Sequence, residues 1–252
     1  ILLNNRTDFV GLAQTGTGKT ATFGLPIVQQ IDPANTAVQA LILSPTRELV
    51  QQIKKQLFKY TKYYDQKVFV EAVYGGEKIE IQIDKLRRPT HIVVATPGRL
   101  IDLVRRKAID IRKVKTVILD EADEMLSMGF KKQLDEILTF VPHNINKWLF
   151  SATMPNGIKQ MVHEHMAHTA HRITVNRGNE VNAKIEHKFI LCDDSEKSYA
   201  LLQFLNSVKD QRGIIFCRTR SSTKKVAAQL IAKNIAADAI HGDLRQSKRD
   251  RV

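Results

Sequence analysis

The chain has 252 residues, of which 43% are hydrophobic and 26% are charged. This composition is ordinary for a globular protein and excludes a disordered, collagen-like or disulfide-stapled chain. Lysine and arginine number 39 against 26 aspartates and glutamates, a formal net charge of +13. Such a charge favours a polyanionic partner, nucleic acid before membrane, over a basic surface without a specific role. No stretch approaches the ~20 apolar residues that cross a bilayer, so we expect no membrane partner.

Short apolar runs alternate with longer amphipathic runs along most of the chain. Runs rich in Val and Ile without polar alternation suit strands that are covered on both faces, as in a parallel sheet. The predicted strands are residues 9–13, 40–43, 68–73, 91–95, 116–119, 148–150 and 173–175, and the predicted helices are 19–31, 47–63, 79–87, 99–106, 130–140 and 155–166. The alternation predicts an α/β fold with a doubly wound parallel sheet, whose ligands bind beyond the carboxyl ends of the strands.

The pattern lapses around residue 176 and then restarts. A polar segment without periodicity predicts a linker over residues 177–184. The apolar and amphipathic runs that follow predict strands at 185–192, 213–217 and 237–240 and helices at 196–208 and 222–233. Three strands are too few for a complete domain of this kind. We therefore predict one domain over residues 1–176 and part of a second over residues 185–252.

Cysteine and histidine residues give little sign of a metal site. Cys192 and Cys217 lie in apolar runs and are too few for a cysteine-rich zinc site, which predicts thiols in a reducing compartment, by default the cytoplasm. The histidines between His163 and His171 lack the zinc-protease spacing, since position 167 is Ala. Exposed histidines near a helix end are the favoured interpretation.

A glycine-rich turn follows the first predicted strand and precedes a helix. Its residues are Ala13, Gln14, Thr15, Gly16, Thr17, Gly18, Lys19 and Thr20. This context is typical of a phosphate-binding loop, in which Lys19 reaches the β- and γ-phosphates and the Thr20 hydroxyl ligates Mg²⁺. Ala13 stands where the strict pattern has Gly. The alternative, a glycine turn that merely caps a helix, is disfavoured by the strand before it and the helix after it.

An acidic tetrad follows the apolar run 116–119. Its sequence is Asp120-Glu121-Ala122-Asp123. An aspartate at a strand end can hold the Mg²⁺ of a phosphate loop, and a second acid beside it can polarise the attacking water. The alternative is a set of acids that caps a helix N-terminus. The order of the two motifs along the chain favours the catalytic interpretation.

In one-letter code the tetrad reads D-E-A-D, and the chain resembles the DEAD-box ATP-dependent RNA helicases of superfamily 2 over nearly all of its length. The loop at 13–20 resembles the family's A-x-T-G-x-G-K-T, which accounts for Ala13. Further family motifs occur in the family's order: P-T-R-E-L at 45–49, G-G at 75–76, T-P-G-R at 96–99, S-A-T at 151–153, I-I-F-C at 214–217 and H-G-D at 241–243 with Gln246 and Arg249. Each motif is weak alone, and their joint order and spacing carry the resemblance.

The resemblance implies a RecA-like fold, followed by part of a second RecA-like domain, and an ATPase that uses ATP and Mg²⁺. Lys19 and Thr20 would hold the phosphates and the metal. Asp120 would hold Mg²⁺, through water, and Glu121 would orient and activate the attacking water.

The resemblance also implies that Asp123, with Ser151 and Thr153, couples the ATP site to movement of the second domain. Ser151 and Thr153 follow a predicted strand, which would bring them beside Asp123. The alternative is that the two hydroxyls cap the next helix.

The family's remaining motifs imply contacts with an RNA backbone through N–H groups, hydroxyls and guanidinium groups, without base readout. The candidates are Pro45, Thr46, Arg47, Gly75, Gly76, Thr96, Gly98, Arg99, Arg218, Gly242, Asp243 and Arg249. Alternatives stay open at each: surface ion pairs of Arg47 and Arg99 with Glu48 or Asp102, an ordinary tight turn at the glycine pair, and a solvated basic face in the second domain.

The resemblance predicts a monomeric ATP-dependent RNA helicase that clamps RNA and locally unwinds it. The family's adenine-reading element and its late arginine-rich motifs fall outside residues 1–252, so we expect a fragment with weak nucleotide binding and little ATPase of its own. Two rivals stay open: a DNA-directed superfamily 2 ATPase, and an RNA-binding scaffold without productive turnover.

Overall fold

The computed structural model describes residues 2–3, 7–175, 185–208, 211–244, 246–249 and 251. The chain divides into two compact units, Ile1–Asn179 and Glu180–Val252, and each is described by itself. The predicted linker, 177–184, lies outside the described residues. Within the described part of the chain, no helix combines the length and the apolar character needed to span a bilayer.

The first unit is built on a seven-stranded sheet in the order β3-β4-β2-β5-β6-β1-β7, with all pairings parallel. Its elements in chain order are β1 Phe9–Leu12, α1 Lys19–Gln30, β2 Ala40–Leu43, α2 Arg47–Thr61, β3 Val70–Val73, α3 Ile79–Leu86, β4 Ile92–Ala95, α4 Pro97–Arg105, β5 Thr116–Leu119, α5 Ala122–Ser127, α6 Lys131–Phe140, β6 Asn146–Ser151, α7 Asn156–His165 and β7 His171–Thr174. The prediction of an α/β fold with a doubly wound parallel sheet is confirmed.

The central strands are buried on both faces, because successive side chains enter two different cores. In β2, Leu41 packs into one core and Ile42 into the other, and both are fully buried. Helices α1 and α2 cover the core that contains Ile42, whereas α4 to α7 cover the core that contains Leu41. This arrangement explains why these strands are continuous apolar runs rather than alternating ones.

Strand β7 is one of the two edge strands, and unlike β3 at the other end of the sheet it is exposed along its whole length. Its four residues are all exposed, and it pairs only with β1 among the described strands. The predicted run at 173–175 therefore starts two residues too late and does not enter the core. Its paired stretch begins at His171, which aligns with Phe9.

A buried aspartate that sequence reasoning missed joins three segments at the amino edge of the sheet. Asp8 is 5% exposed and precedes β1. Its carboxylate accepts hydrogen bonds from the backbone N–H groups of Lys147 in β6 and Ala167 before β7, each at 2.7 Å. Because a buried carboxylate is tolerated only with such donors, Asp8 ties β1, β6 and the approach to β7 together.

In the second unit, the helices are where the sequence predicts them and the strands are not. Its described helices are α8 Lys197–Ser207, α9 Arg220–Ala232 and α10 Gln246–Arg249. The predictions of strands at 185–192, 213–217 and 237–240 are wrong, since none of these runs is a strand in the described part of the unit. A strand requires a hydrogen-bonded neighbour, and these apolar runs have none there. A second RecA-like domain stays a prediction.

Candidate active site

Two glycines with positive φ shape the turn between β1 and α1. Gly16 has φ +80° and Gly18 has φ +90°, conformations that residues with a Cβ rarely adopt. The Thr17 hydroxyl donates to the carbonyl of Gln14 at 2.7 Å, which closes the turn. Gly18 is the N-cap of α1. The unpaired N–H groups of this 12-residue helix therefore begin directly after the glycine turn, which is an arrangement that binds phosphate.

The sheet order brings the loop and the acidic tetrad to one edge. Strand β6 lies between β5, which ends before Asp120, and β1, which ends before the loop. The N–H of Ala13 donates to the carbonyl of Ser151 at 3.0 Å, so the start of the loop continues the pairing of β1 with β6. The N–H of Asp120 donates in the same way to the carbonyl of Leu43 in β2, at 2.9 Å. Strands that are far apart in sequence thus deliver their following residues to one edge.

Lys19 and Asp120, whose side chains have opposite charges, are both buried at this edge. Lys19 is 9% exposed, and its Nζ is buried without a hydrogen-bond partner among the described residues. Asp120 is 5% exposed. Burial raises the pKa of Asp120 to about 6, because desolvation penalises the carboxylate, while the positive charge of Lys19 opposes the rise and the negative charges of Glu121 and Asp123 add to it. A buried ammonium without a partner and a destabilised carboxylate together fit a phosphate group and a cation.

Glu121 holds a left-handed backbone conformation with φ 51° and ψ 50°, which is uncommon for a residue with a side chain. Its N–H donates to Asp120 Oδ1 at 3.1 Å. Helix α5 begins at the next residue and was not predicted as a separate element. Glu121 occupies the N-cap position of α5, but its side chain makes no capping hydrogen bond there, so side-chain capping does not account for the tetrad. The bend instead sets the two neighbouring carboxyl groups at the sheet edge.

Asp123 and Thr153, thirty residues apart, are joined by two hydrogen bonds. The Thr153 hydroxyl donates to Asp123 Oδ2 at 2.7 Å and its N–H donates to the same oxygen at 3.0 Å. Desolvation acts to raise the pKa of Asp123, but hydrogen bonds from Thr153 and Ser151 outweigh it and lower the pKa. The N-cap of α7 is Pro155, without a side-chain cap. The alternative that Ser151 or Thr153 caps this helix is therefore wrong.

The candidates after β2 and β3 lie beside each other. Thr46 is the N-cap of α2, and its hydroxyl accepts a hydrogen bond from the N–H of Leu49 at 3.3 Å. The guanidinium of Arg47 lies 5.0 Å from the centre of the Tyr74 ring. Its Nη1 would lie 3.8 Å from a Cβ built on Gly76. Pro45 is buried and precedes this pair. The structure thus brings Arg47 to the glycine turn.

A network around Glu77 that sequence reasoning missed fixes the glycine turn to α3 and α4. Gln82, fully buried, donates to the carbonyl of Tyr74 and to Glu77 Oε2, each at 2.9 Å. Arg99 donates to the carbonyl of Glu77 at 2.9 Å, instead of pairing with Asp102 as one alternative held. Desolvation acts to raise the pKa of Glu77, but hydrogen bonds from Gln82 and Lys85 outweigh it and lower the pKa. The sequence contains one signal that could have indicated this network, since Gln82 shares a helical face with Ile79, Ile83 and Leu86, which are apolar.

The backbone at the remaining candidates of the first unit is open. A Cβ built on Gly75 or on Gly98 would meet no atom within 4 Å. Gly98 lies in the first turn of α4, which begins at Pro97 rather than at residue 99 as predicted, and Thr96 is its N-cap without a side-chain hydrogen bond. Four loops after β2, β3, β4 and β5 therefore present polar groups and exposed backbone along the edge that carries Lys19.

In the second unit, the candidate Asp243 lies among basic side chains, whereas no contact joins it to the candidates Arg218 and Arg249 in the described residues. Asp243 pairs with Arg220 and lies 3.8 Å from Lys224 Nζ. Arg249 donates to Gln246 Oε1 at 3.5 Å, and Arg218 is exposed. A Cβ on Gly242 would meet the guanidinium of Arg220 at 3.5 Å. Arg220 and Lys224, which the motif analysis did not single out, therefore neutralise Asp243.

Among the described residues, two side chains of the histidine segment join Asp135 of α6 in a cluster of possible metal ligands. Ligand atoms of Asp135, Glu164 and His165 lie within 4.8 Å of one another. Lys131 forms ion pairs with both acids, since its Nζ lies 3.2 Å from Asp135 and 3.0 Å from Glu164. His165 Nε2 lies 2.7 Å from Asp135 Oδ1. An ion-pair network between α6 and α7 accounts for the cluster without a metal.

The sequence profile of the DEAD/DEAH box helicase family matches residues 1–161, which is more than half of the chain. DEAD-box ATP-dependent RNA helicase CshA from Streptococcus pneumoniae serotype 4 is 40% identical over 245 residues, covering 97% of this chain and 46% of the relative. ATP-dependent RNA helicase CshA from Listeria monocytogenes serovar 1/2a is 42% identical over 242 residues, covering 96% of this chain and 46% of the relative.

A solved structure is similar over nearly the whole chain. The crystal structure of a DEAD box protein from the hyperthermophile Methanococcus jannaschii matches with a TM-score of 0.65 and 37% identity, covering 99% of this chain and 66% of that one. The chain spans about half the length of the curated relatives it matches. With the parallel sheet, the phosphate loop and the D-E-A-D tetrad at one edge, these matches show that the chain belongs to the DEAD/DEAH box helicase family.

Proposed function

We propose that this chain is the ATP-binding portion of an ATP-dependent RNA helicase that couples ATP binding and hydrolysis to RNA clamping and local duplex unwinding. The single observation that carries the proposal is a pair of buried opposite charges at one sheet edge: Lys19, whose Nζ has no hydrogen-bond partner among the described residues, and Asp120, whose pKa is raised to about 6. The printed names of the two relatives, both ATP-dependent RNA helicases, support it.

The residues at the sheet edge fit a magnesium–triphosphate. The N-terminus of α1 and Lys19 would hold the phosphates, and Thr20, half-buried at the first turn of α1, and Asp120 would hold Mg²⁺. Bound Mg²⁺ would neutralise charge on the transferring phosphoryl group. A cation at this position would lower the pKa of Asp120 again, because it removes the need to bury an unpaired carboxylate.

Glu121 would act on the attacking water. The left-handed bend places its carboxyl group directly after the Asp120 carboxyl, and its side chain is only half-buried, so it stays open to solvent water. A carboxylate in this position can orient a water and accept its proton. Asp123, fixed by Thr153, would carry the state of the nucleotide from the acidic tetrad to β6 and α7.

RNA would bind across the open backbone and guanidinium groups after β2, β3 and β4. Contacts from such groups go to phosphates and sugars, so binding would be independent of base sequence and would weaken with salt. The candidates of the second unit would contribute further phosphate contacts. We place the protein in the cytoplasm as a monomer, in keeping with two thiols that form no disulfide.

Substitution of Glu121 tests the proposal, with Lys19 as the matched comparison. In the full-length protein, Glu121→Gln should reduce RNA-stimulated ATP hydrolysis by about 10²-fold or more, while ATP-dependent RNA binding survives. Lys19→Ala should instead weaken nucleotide binding itself. Unchanged turnover in Glu121→Gln would remove Glu121 from this role. A wild-type protein that binds RNA without turnover would favour the scaffold, and equal stimulation by DNA would favour the DNA-directed ATPase.

A further inference from the structure

Exposed aromatic rings lie among lysines at the end of α2 and in the loop that follows it. We call this surface the aromatic–lysine patch and define it by Phe58, Lys59, Lys62, Tyr63 and Tyr64. The side chains of Phe58 and Tyr63 are 63% and 83% exposed. The patch precedes the amino end of β3, so it lies at the edge of the sheet opposite the phosphate loop.

Two of the aromatic rings line a cavity. Tyr63, Tyr64, Pro33, Asp65 and Gln66 surround a shallow space of about 370 Å³. Its walls combine flat apolar rings with a carboxylate and an amide that can hydrogen-bond the edge of a heterocycle. The turn is held in place by the N–H of Tyr64, which donates to the carbonyl of Thr61 at 3.2 Å. The cavity therefore has the chemistry that holds an unpaired nucleobase.

The charge around the cavity is strongly positive. Residues 55–69 contain four lysines, at positions 55, 59, 62 and 67, and one acid, Asp65. Lys55, Lys59 and Lys62 follow one another at helical spacing, and all three are exposed. Lys54, on the inner side of the helix, is paired with Glu71 at 2.8 Å. Within the described residues, none of the four outward lysines belongs to an ion pair, so their charges face solvent.

A structural role explains only part of this patch. Lysines in the last turn of a helix are favourable next to its negative end, which accounts for Lys59 and Lys62. It does not account for Lys55, which lies a turn earlier. It also does not account for the exposed rings, since a folded chain gains by burying Phe58 and Tyr63. Lys62 Nζ lies 5.0 Å from the centre of the Tyr63 ring and leaves most of that side chain open.

We propose that the aromatic–lysine patch binds single-stranded RNA, with unpaired bases on Tyr63 and Tyr64 and phosphates on Lys59 and Lys62. Rings interleaved with ammonium groups are the usual platform for a single strand, because every base has a flat face and every nucleotide has a phosphate. A duplex cannot use such rings, since its bases are already stacked on one another. The inference relies on the proposed function only in taking the polyanion to be RNA.

Helix α2 connects the patch to the candidate RNA contacts at the carboxyl ends of the strands, which we call the catalytic edge. The helix begins at Arg47, which lies at the glycine turn, and its 15 residues span about 22 Å. A single RNA strand that leaves the catalytic edge along the outer face of α2 would pass Lys55 and Lys59 before it reaches Tyr63. The patch therefore extends the RNA path to the far edge of the sheet.

Photocrosslinking locates the contact directly. The full-length protein is irradiated with a single-stranded oligouridylate that carries 4-thiouridine, and the crosslinked peptides are mapped. Trypsin cleaves after Lys62 and Lys67 and so releases the cavity residues as one peptide, 63–67. We expect RNA on this peptide. RNA that binds and crosslinks elsewhere, but not to this peptide, overturns the inference.

Substitutions measure the contribution of the rings. Combined Tyr63→Ala and Tyr64→Ala should weaken binding of the oligouridylate about tenfold or more, and Tyr63→Phe, which keeps the ring, should bind as wild type does. Tyr199→Ala, which removes an exposed tyrosine of the second unit, is the matched control and should change nothing. An equal loss of affinity for a blunt RNA duplex would contradict base stacking.

The salt dependence of RNA binding tests the role of the lysines. Combined Lys59→Gln and Lys62→Gln should reduce the slope of log affinity against log salt by about 2, or about 1 per phosphate contact. Lys132→Gln, an exposed lysine of α6 on the other face of the sheet, should leave the slope unchanged. If the wild-type protein binds no RNA, the proposed function fails. If RNA stimulates ATP hydrolysis and the patch variants bind RNA normally, only the patch inference fails.

Discussion

The two units carry the same sequence pattern and differ in what it produces. In the first unit, apolar runs separated by amphipathic runs become seven paired strands, and β5 is entirely buried. In the second, runs of equal hydrophobicity stay unpaired among the described residues, and Phe216 is 93% exposed. An apolar run thus predicts the tendency to form a buried strand, and the neighbours on both sides decide whether the strand exists.

The largest expected difference between the two units is in the rate of amide hydrogen exchange. The amides of β5 are bonded on both sides and buried, so they should open only with global unfolding and exchange about 10³-fold more slowly than an unpaired chain, or slower still. Amides of residues 213–217 should exchange at rates close to those of an unfolded peptide. Exchange measured by mass spectrometry would break the comparison if both segments were equally protected.

A pair of phenylalanine truncations comes next in size. Phe150 is 2% exposed and its ring lies 5.5 Å from Phe9 and 5.2 Å from Phe23, so Phe150→Ala should lower the free energy of unfolding of the first unit by about 3–5 kcal/mol. Phe216→Ala should change stability by no more than about 0.5 kcal/mol, since the ring is exposed. Denaturant titrations measure both. A large loss at position 216 would mean that this ring is buried in solution.

The buried carboxyl group of Asp120 predicts a pH dependence. Because the pKa of Asp120 is about 6 in the folded protein and about 3.8 when unfolded, the folded state holds its proton more tightly between those values. The free energy of unfolding should therefore fall as pH rises from about 4 to about 6, by about 3 kcal/mol from this group.

Asp120→Asn isolates this contribution, because asparagine does not titrate. The difference in stability between wild type and Asp120→Asn, without nucleotide, should change over that pH window and be level above it. A difference that does not vary with pH would show that Asp120 is not desolvated. Thermal unfolding across pH measures it.

The smallest expected effect on stability comes from removing the hydroxyl that caps one helix in each unit. Thr46 accepts from the N–H of Leu49 at 3.3 Å at the start of α2, and Thr219 accepts from the N–H of Ser222 at 3.0 Å at the start of α9. Thr46→Ala should destabilise the first unit by about 1 kcal/mol. Thr219→Ala should weaken α9 locally and leave the unfolding midpoint of the first unit unchanged. A shift of that midpoint in Thr219→Ala would show that the two units unfold together.

Local chemistry made the phosphate loop and the acidic tetrad readable from the sequence. The turn needs positive φ at positions 16 and 18, a conformation that favours glycine, so the two glycines mark it in the sequence. The acidic tetrad follows an apolar run, and ligands of an α/β sheet bind beyond the carboxyl ends of its strands. The runs that became β1 to β6 were predictable for the same reason, since burial on both faces leaves a continuous apolar signature.

Only the tertiary structure decided which distant segments meet. The position of β6 next to β5 brings Thr153 to Asp123, and the pairing of β3 with β4 brings Arg99 to the carbonyl of Glu77. It also showed that the runs of the second unit remain exposed in the described residues. Periodicity reports which face of an element is apolar, whereas pairing depends on partners tens of residues away, and no local pattern records them.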